Sequence, residues 1–186
     1  MNHTVKTTSV CALLALACGS VWAVNVLQNP GFETADGSYA AGWTDVRRSW
    51  RVATPVRTGV AALQCNGWGE WGESKQTYAS AALGGQTVTA SVWGLIPAEI
   101  GATPTIISSG WNGAVLALHE TGFATPLATT NFITADSPTG VWVQGTVVAQ
   151  LYPDTASIDL VLQAASLPDW TYFQGAVYFD DAVLEA

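Results

Sequence analysis

Charged residues make up only 11% of this 186-residue chain, so each carboxylate in an apolar setting asks for a reason. Glu33 closes "NPGFE" (29–33), directly after a Pro-Gly turn and an apolar Phe. Asp180 and Asp181 stand side by side inside "VYFDDAVLEA" (177–186), which otherwise reads as a strand. Carboxylates brought together repel unless a cation or a proton sits between them. The apolar phase shifts across the Asp pair, with Val177 and Phe179 before it and Ala182 and Leu184 after it. A β-bulge there would re-aim one carboxylate and return the apolar residues to the core. A solvated acidic edge, or an ion pair to Arg57, accounts for the same pattern.

Catalytic chemistry has fewer candidates. Glu70 and Glu73, three apart in "NGWGEWGE" (66–73), form the best carboxylate pair for glycoside chemistry. A loop has no helical register, so that spacing does not set their separation. His119, in "AVLALHE" (114–120), reads as the end of a strand. The sequence contains no Gly-x-Ser-x-Gly elbow, His-Glu-x-x-His zinc motif or phosphate-binding glycine loop. Enzymatic activity is therefore not expected, with a small polysaccharide lyase or hydrolase as the alternative. Aromatic residues offer more. Trp68 and Trp71 in the same glycine-rich loop, Trp111 in "SGWNG" (109–113), and Trp170 with Tyr172 could stack on sugar rings or cap the ends of a sandwich.

Residues 1–23 read as a secretion signal: Lys6, an apolar "VCALLALA" (10–17), then Val21-Trp22-Ala23 at a cleavage site. They are too short to span a bilayer as a helix, and no second long apolar stretch follows. The expectation is a secreted 24–186 domain with no membrane insertion; lipidation of Cys18 is a competing reading. Removing the signal leaves five basic against fourteen acidic residues, a net charge of −9, which repels nucleic acid and anionic membranes. It also leaves Cys65 as the sole cysteine, so no internal disulfide forms. In "AALQC" (61–65) that thiol reads as a small buried hydrophobe. A surface of Thr, Ser, Asn, Gln and Gly suits neutral, hydroxyl-rich ligands.

Short Val/Thr/Ile/aromatic runs bounded by Gly, Pro, Asn or Asp recur along the chain, and helical periodicity is absent. Strands are expected at 24–28, 43–49, 61–65, 75–79, 87–95, 114–119, 131–133, 141–149, 157–164 and 176–184. Ten short strands in one domain predict an all-β sandwich, a jelly roll of two antiparallel sheets. Alternation in 87–95 sends Val88, Ala90 and Val92 inward and Thr89, Ser91 and Trp93 outward. In 157–164 it sends Ile158, Leu160 and Leu162 inward, leaving Asp159, Val161 and Gln163 outward. An outward Trp beside such residues suits a sugar-binding sheet face; a covering loop is the equal alternative.

The ends of the chain carry a resemblance. "NVLQNPGFET" (25–34), "GW" at 42–43 and "GAVYFDDAVLEA" (175–186) resemble carbohydrate-binding modules of families four, nine and twenty-two, which are galactose-binding-like jelly rolls. "TGVAALQC" (58–65), "GGQTVTASVWGL" (84–95) and "TGVWVQGTVVA" (139–149) look like further strands of that family. The resemblance implies a structural Ca²⁺ held by Glu33 and Asp180, with Asp181 as the substitute, and loop carbonyls; a hard cation wanting six to eight oxygens accords with such donors. It places Trp43 and Trp142 in the core. With the resemblance placing the strands 87–95 and 157–164 on one face, their alternation predicts that Trp93 and the loop residues Trp68 and Trp71 line a binding face on which Gln163 and Asp159 orient sugar hydroxyls, Trp111 being a further loop candidate. The expected function is non-catalytic binding of a neutral poly- or oligosaccharide. A structural or adhesive extracellular domain without sugar binding is the alternative, and the oligomeric state stays open.

Overall fold

The computed structural model describes residues 24–66, 71–100, 103–104, 106–107, 112–134, 136–164 and 173–186. The signal region, Cys18, Trp68, Glu70, Trp111, Trp170 and Tyr172 lie outside these residues. Ten strands build the sandwich: β1 Thr44–Arg47, β2 Ser49–Val52, β3 Ala62–Asn66, β4 Gly72–Ala79, β5 Thr87–Leu95, β6 Asn112–Glu120, β7 Pro126–Thr134, β8 Val143–Gln150, β9 Ser157–Ala164 and β10 Ala176–Glu185. They pair antiparallel in two five-stranded sheets, β7-β6-β9-β4-β1 and β8-β5-β10-β3-β2. Among the described residues there is no helix, and so none long and apolar enough to cross a membrane.

The core lies between the sheets and follows from period-two alternation. Leu116 and Leu118 of β6 and Ile158, Leu160 and Leu162 of β9 meet Val88 and Val92 of β5, Leu63 of β3, and Val177 and Phe179 of β10, all at most 1% exposed. Trp43 is buried in this core with its ring 5.0 Å from that of Phe32, as expected. Trp142 is not. It packs with Val52 on a separate apolar cluster of Leu95, Ala176 and Tyr178.

Three expected strands differ. The run 131–133 falls in the last part of a longer strand, β7, which starts at Pro126. The run 43–49 splits, because Arg48 takes φ 49° and turns the chain from β1 in one sheet to β2 in the other. Asp45 Oδ1 fixes that corner by accepting from Ser49 N at 3.0 Å and Ser49 Oγ at 2.8 Å. The run 24–28 makes only an isolated bridge, Asn25 to Glu185, so the first residues lean on β10 without extending its ladder. The bulge expected at the Asp pair is present: the β10–β5 register shifts between Asp180 and Val183, with Asp181 at φ 48°. Phe179 and Ala182 thereby both reach the core.

Candidate functional site

The outer face of β7-β6-β9-β4-β1 is an ordered grid of side chains. Antiparallel register aligns Asn131, Val115, Gln163 and Glu73 in one row across β7, β6, β9 and β4. Thr129, Ala117, Val161 and Lys75 make the next row, and Pro126, His119, Asp159 and Thr77 the third. Rows one and two and the first three members of row three line one cavity of about 740 Å³. Its middle is apolar: Val115, Ala117 and Val161 are at most 9% exposed although they point away from the core. Polar side chains flank this floor on both sides.

Charge in the cavity is arranged unevenly. Asp159 Oδ2 accepts from Lys75 Nζ at 2.8 Å, and its Oδ1 accepts from Thr77 Oγ1 at 2.6 Å and Thr121 Oγ1 at 3.0 Å. Burial by itself would raise the Asp159 carboxyl, but those three bonds and the Lys75 charge hold it below the usual carboxylate range. Glu73 is different. Burial pushes its carboxyl up, and a bond from Gln163 (Nε2 to Oε2, 3.0 Å), the His119 and Lys75 charges and a bond from Trp71 offset this only in part. Trp71, just before β4, lies under the Arg47 guanidinium, 4.4 Å from the ring centroid.

One wall is the turn between β6 and β7, which contributes Gly122, Phe123 and Ala124. Gly122 sits at φ 90°, a conformation that costs glycine nothing. Phe123 N donates to Glu120 O at 3.0 Å, and His119 Nδ1 lies 3.2 Å from Phe123 O. A carbonyl only accepts, so His119 Nδ1 is the donor in this contact. The turn thus presents Phe123, 64% exposed, at the cavity wall.

Gln163 and Asp159 therefore fall where alternation in β9 puts them, while Trp93 does not join them. β5 and β9 belong to different sheets, so Trp93 faces solvent from the opposite side of the sandwich. Its ring is covered by the Arg57 guanidinium, 3.9 Å from the centroid. Sequence reasoning missed Lys75 and Asn131, which alternation within β4 and β7 would have turned outward, and Phe123, which carries no signal beyond a Gly before an aromatic.

At the Trp93 side, the loop 57–60 gathers the three acids expected to hold a cation. Asp180, fully buried, accepts at Oδ2 from Arg57 N (2.8 Å) and Thr58 N (3.1 Å) and at Oδ1 from Asp181 N (2.8 Å). Burial still raises its carboxyl, outweighing those peptide N–H bonds, and the neighbouring Asp181 charge adds to the rise. Asp181 accepts from Thr58 Oγ1 at 2.6 Å and pairs with Arg57, so the ion-pair reading of this acid holds. Glu33 accepts Val60 N, at 3.0 Å on Oε2. Gly59, at φ 65°, leaves room for that carboxylate, since a Cβ there would run into it.

The donor set fits a hard cation in part. Glu33 Oε1 and Asp181 Oδ1 border the same space above Gly31, 3.7 and 3.9 Å from where its Cβ would stand. Asp180, the first choice from sequence, spends its oxygens on peptide N–H groups and serves as a cap for the loop. Among the described residues no group of three or more His, Cys, Asp or Glu stands together as a metal site. Glu33 is bonded to Val60 N, and Asp181 to Thr58 and Arg57, so a cation at this corner would displace those partners.

No protein-family model and no curated protein matches this sequence. Solved structures do match its fold. A family 61 carbohydrate-binding module in complex with β-1,4-galactotriose superposes with a TM-score of 0.53 at 18% identity, over 87% of this chain and 97% of that one. The CBM22-1 xylan-binding domain of Paenibacillus barcinonensis Xyn10C gives 0.51 at 16% identity, over 83% and 90%. A cyclase from Fischerella sp. TAU gives 0.63 at 16% identity, over 87% and 96%. The chain has the jelly-roll sandwich of carbohydrate-binding modules, shared at these identities as a fold.

Proposed function

We propose that this chain binds a poly- or oligosaccharide in the cavity on the β7-β6-β9-β4-β1 face. One observation carries the reading: an apolar floor of Val115, Ala117 and Val161 is flanked by polar side chains in one cavity that the exposed Phe123 also lines. Sugars present C–H-rich faces and hydroxyl edges, and a site with an aromatic plate and a few fixed polar groups matches both. The likeness to modules that bind galactotriose and xylan supports the same reading. Phe123 supplies the plate, Gln163 and Asn131 address hydroxyls, and the Lys75–Asp159 pair keeps the floor rigid. We carry forward secretion, from residues 1–23, and a structural Ca²⁺ at Glu33 with Asp181 or Asp180 and loop carbonyls.

Isothermal titration against soluble xylan, β-glucan and galactan tests the reading. At least one should bind, Phe123→Ala should weaken all binding, and Gln163→Ala should change the order among them. Failure of every glycan to bind, in protein that melts cooperatively, would remove it.

A second reading has one observation in its favour: Glu73 and His119, both able to move protons, line the same cavity. Acid-base catalysis on a bound glycan would use Glu73 as the acid. Against it, Asp159 is tied up by three donors and His119 Nδ1 is spent on the Phe123 turn, so among the described residues Glu73 lacks a free carboxylate partner. Release of reducing ends from a bound glycan, lost in Glu73→Gln, would establish it.

A further inference from the structure

The described part of the cavity holds four ionisable side chains: Glu73 and Lys75 from β4, His119 from β6 and Asp159 from β9. Lys75 and Asp159 neutralise each other at 2.8 Å. Among the described residues Glu73 makes no ion pair, though the His119 and Lys75 charges act on it and Arg47 lies opposite it in the β1–β4 ladder. Its bonded partners are the amide of Gln163 and the side chain of Trp71, both neutral donors. A carboxylate in that position has lone pairs in hand and favours a cationic partner over a hydroxyl, because charge-assisted hydrogen bonds are about twice as strong as neutral ones.

We propose that the cavity selects saccharides carrying a free amine, binding the ammonium group of a hexosamine unit at Glu73 while Phe123 stacks on a sugar ring. This rests on the sugar-binding reading above and narrows its ligand to amine-bearing glycans. Uronic acid polymers are excluded by the same logic, since their carboxylates would face Glu73 in a protein already strongly acidic.

The burial that raises the Glu73 carboxyl also makes a bound ammonium more effective, because the ion pair forms where water screens it less. Lys75 does not substitute for it, being held at Asp159, and the His119 ring is anchored through Nδ1 to the turn.

Titrating the intact protein with matched tetramers of glucose, N-acetylglucosamine, glucosamine and galacturonate tests the proposal, below the pKa of the glucosamine amine. The glucosamine tetramer should bind about tenfold tighter than the glucose or N-acetylated ones, the size of one charge-assisted bond. That advantage should shrink with added salt and vanish in Glu73→Gln, whose cooperative melt confirms that it folds. Equal or weaker binding of glucosamine, or an advantage that survives Glu73→Gln, overturns the proposal and leaves sugar binding standing if the glucose tetramer binds. Binding of none of the four overturns both.

Discussion

Removing the Lys75 ammonium while keeping its chain length, by Lys75→Met, should destabilise the protein by about 2 kcal/mol. Losing one partner of a fully buried pair costs ~3–5 kcal/mol, mostly from the charge left behind. Here the Asp159 side chain is 6% exposed and that of Lys75 34%, and Thr77 and Thr121 still donate to the carboxylate, so the lower figure applies. For a domain of this size the change corresponds to a fall of ~6 °C in Tm. Asp159→Asn alone should cost about 1 kcal/mol, because Lys75 can turn to solvent. The double variant should then lose ~1 kcal/mol less than the two single losses combined, which is the coupling a double-mutant cycle isolates. Acid adds a check with a definite sign. The Asp159 carboxyl is held down in the folded state, so its contribution is present above the ordinary carboxylate range near pH 3.9 and lost as pH falls through the folded value. Urea melts at neutral pH and near pH 3 should show the gap between wild type and Lys75→Met narrowing in acid. A gap that stays constant with pH, or a coupling under about 0.3 kcal/mol, would refute the reasoning, since the pair would then be an ordinary screened surface contact.

Four further outcomes follow from the geometry. Phe123→Ala should reduce glycan affinity by ~1–2 kcal/mol yet shift stability by less than about 0.5 kcal/mol, because the ring is 64% exposed; titration paired with thermal melts reads both. If Ca²⁺ binds at Glu33 with Asp181 or Asp180, a hundredfold excess over its Kd adds about 2.7 kcal/mol. Excess EDTA should then lower Tm, and Glu33→Gln should abolish the response; superimposable melts with and without chelator would dispose of calcium. Trp93→Ala should leave glycan binding intact and cost ~1 kcal/mol by freeing Arg57, so a large loss of affinity would contradict the placement of the site on the other sheet. The Cys65 thiol is pushed well above its ordinary pKa by burial, with the Asp45 and Glu73 charges adding to it. Thiol reagents should label it only after denaturant is added, and rapid native labelling would contradict its buried position.

What the sequence discloses and what it withholds divide along a physical line. Within a strand, alternation is local, so Val88, Ala90 and Val92 in β5 and Ile158, Leu160 and Leu162 in β9 could be assigned to the core from their spacing, and they are all fully buried. The bulge at Asp180 was legible for the same reason, as a break in that alternation. Which sheet a strand enters is not local. Nothing in 87–95 or 157–164 states that β5 and β9 lie in opposite layers, and the error over Trp93 came from that step. Glu73 was legible as a candidate acid, but the spacing of a glycine-rich loop hid that it starts a strand beside Gln163. Phe123 was hidden because a single aromatic after glycine reads as an ordinary turn.

The layer arrangement also separates two jobs that the sequence had merged. Asp180, Asp181, Glu33, Arg57 and Trp93 hold the loop 57–60 against β10 and β5, whereas Glu73, Lys75, His119, Asp159 and Gln163 face outward from the other sheet. Stacked sheets lie ~10 Å apart, and side chains on their two outer faces are farther still. Substitutions separated by more than about 7–10 Å with no shared partner add independently. Pairing Arg57→Ala with Lys75→Met should therefore give a stability loss equal to the sum of the single losses. Measurable coupling between them would mean that the loop corner and the cavity communicate through the core, and the division of labour would fail.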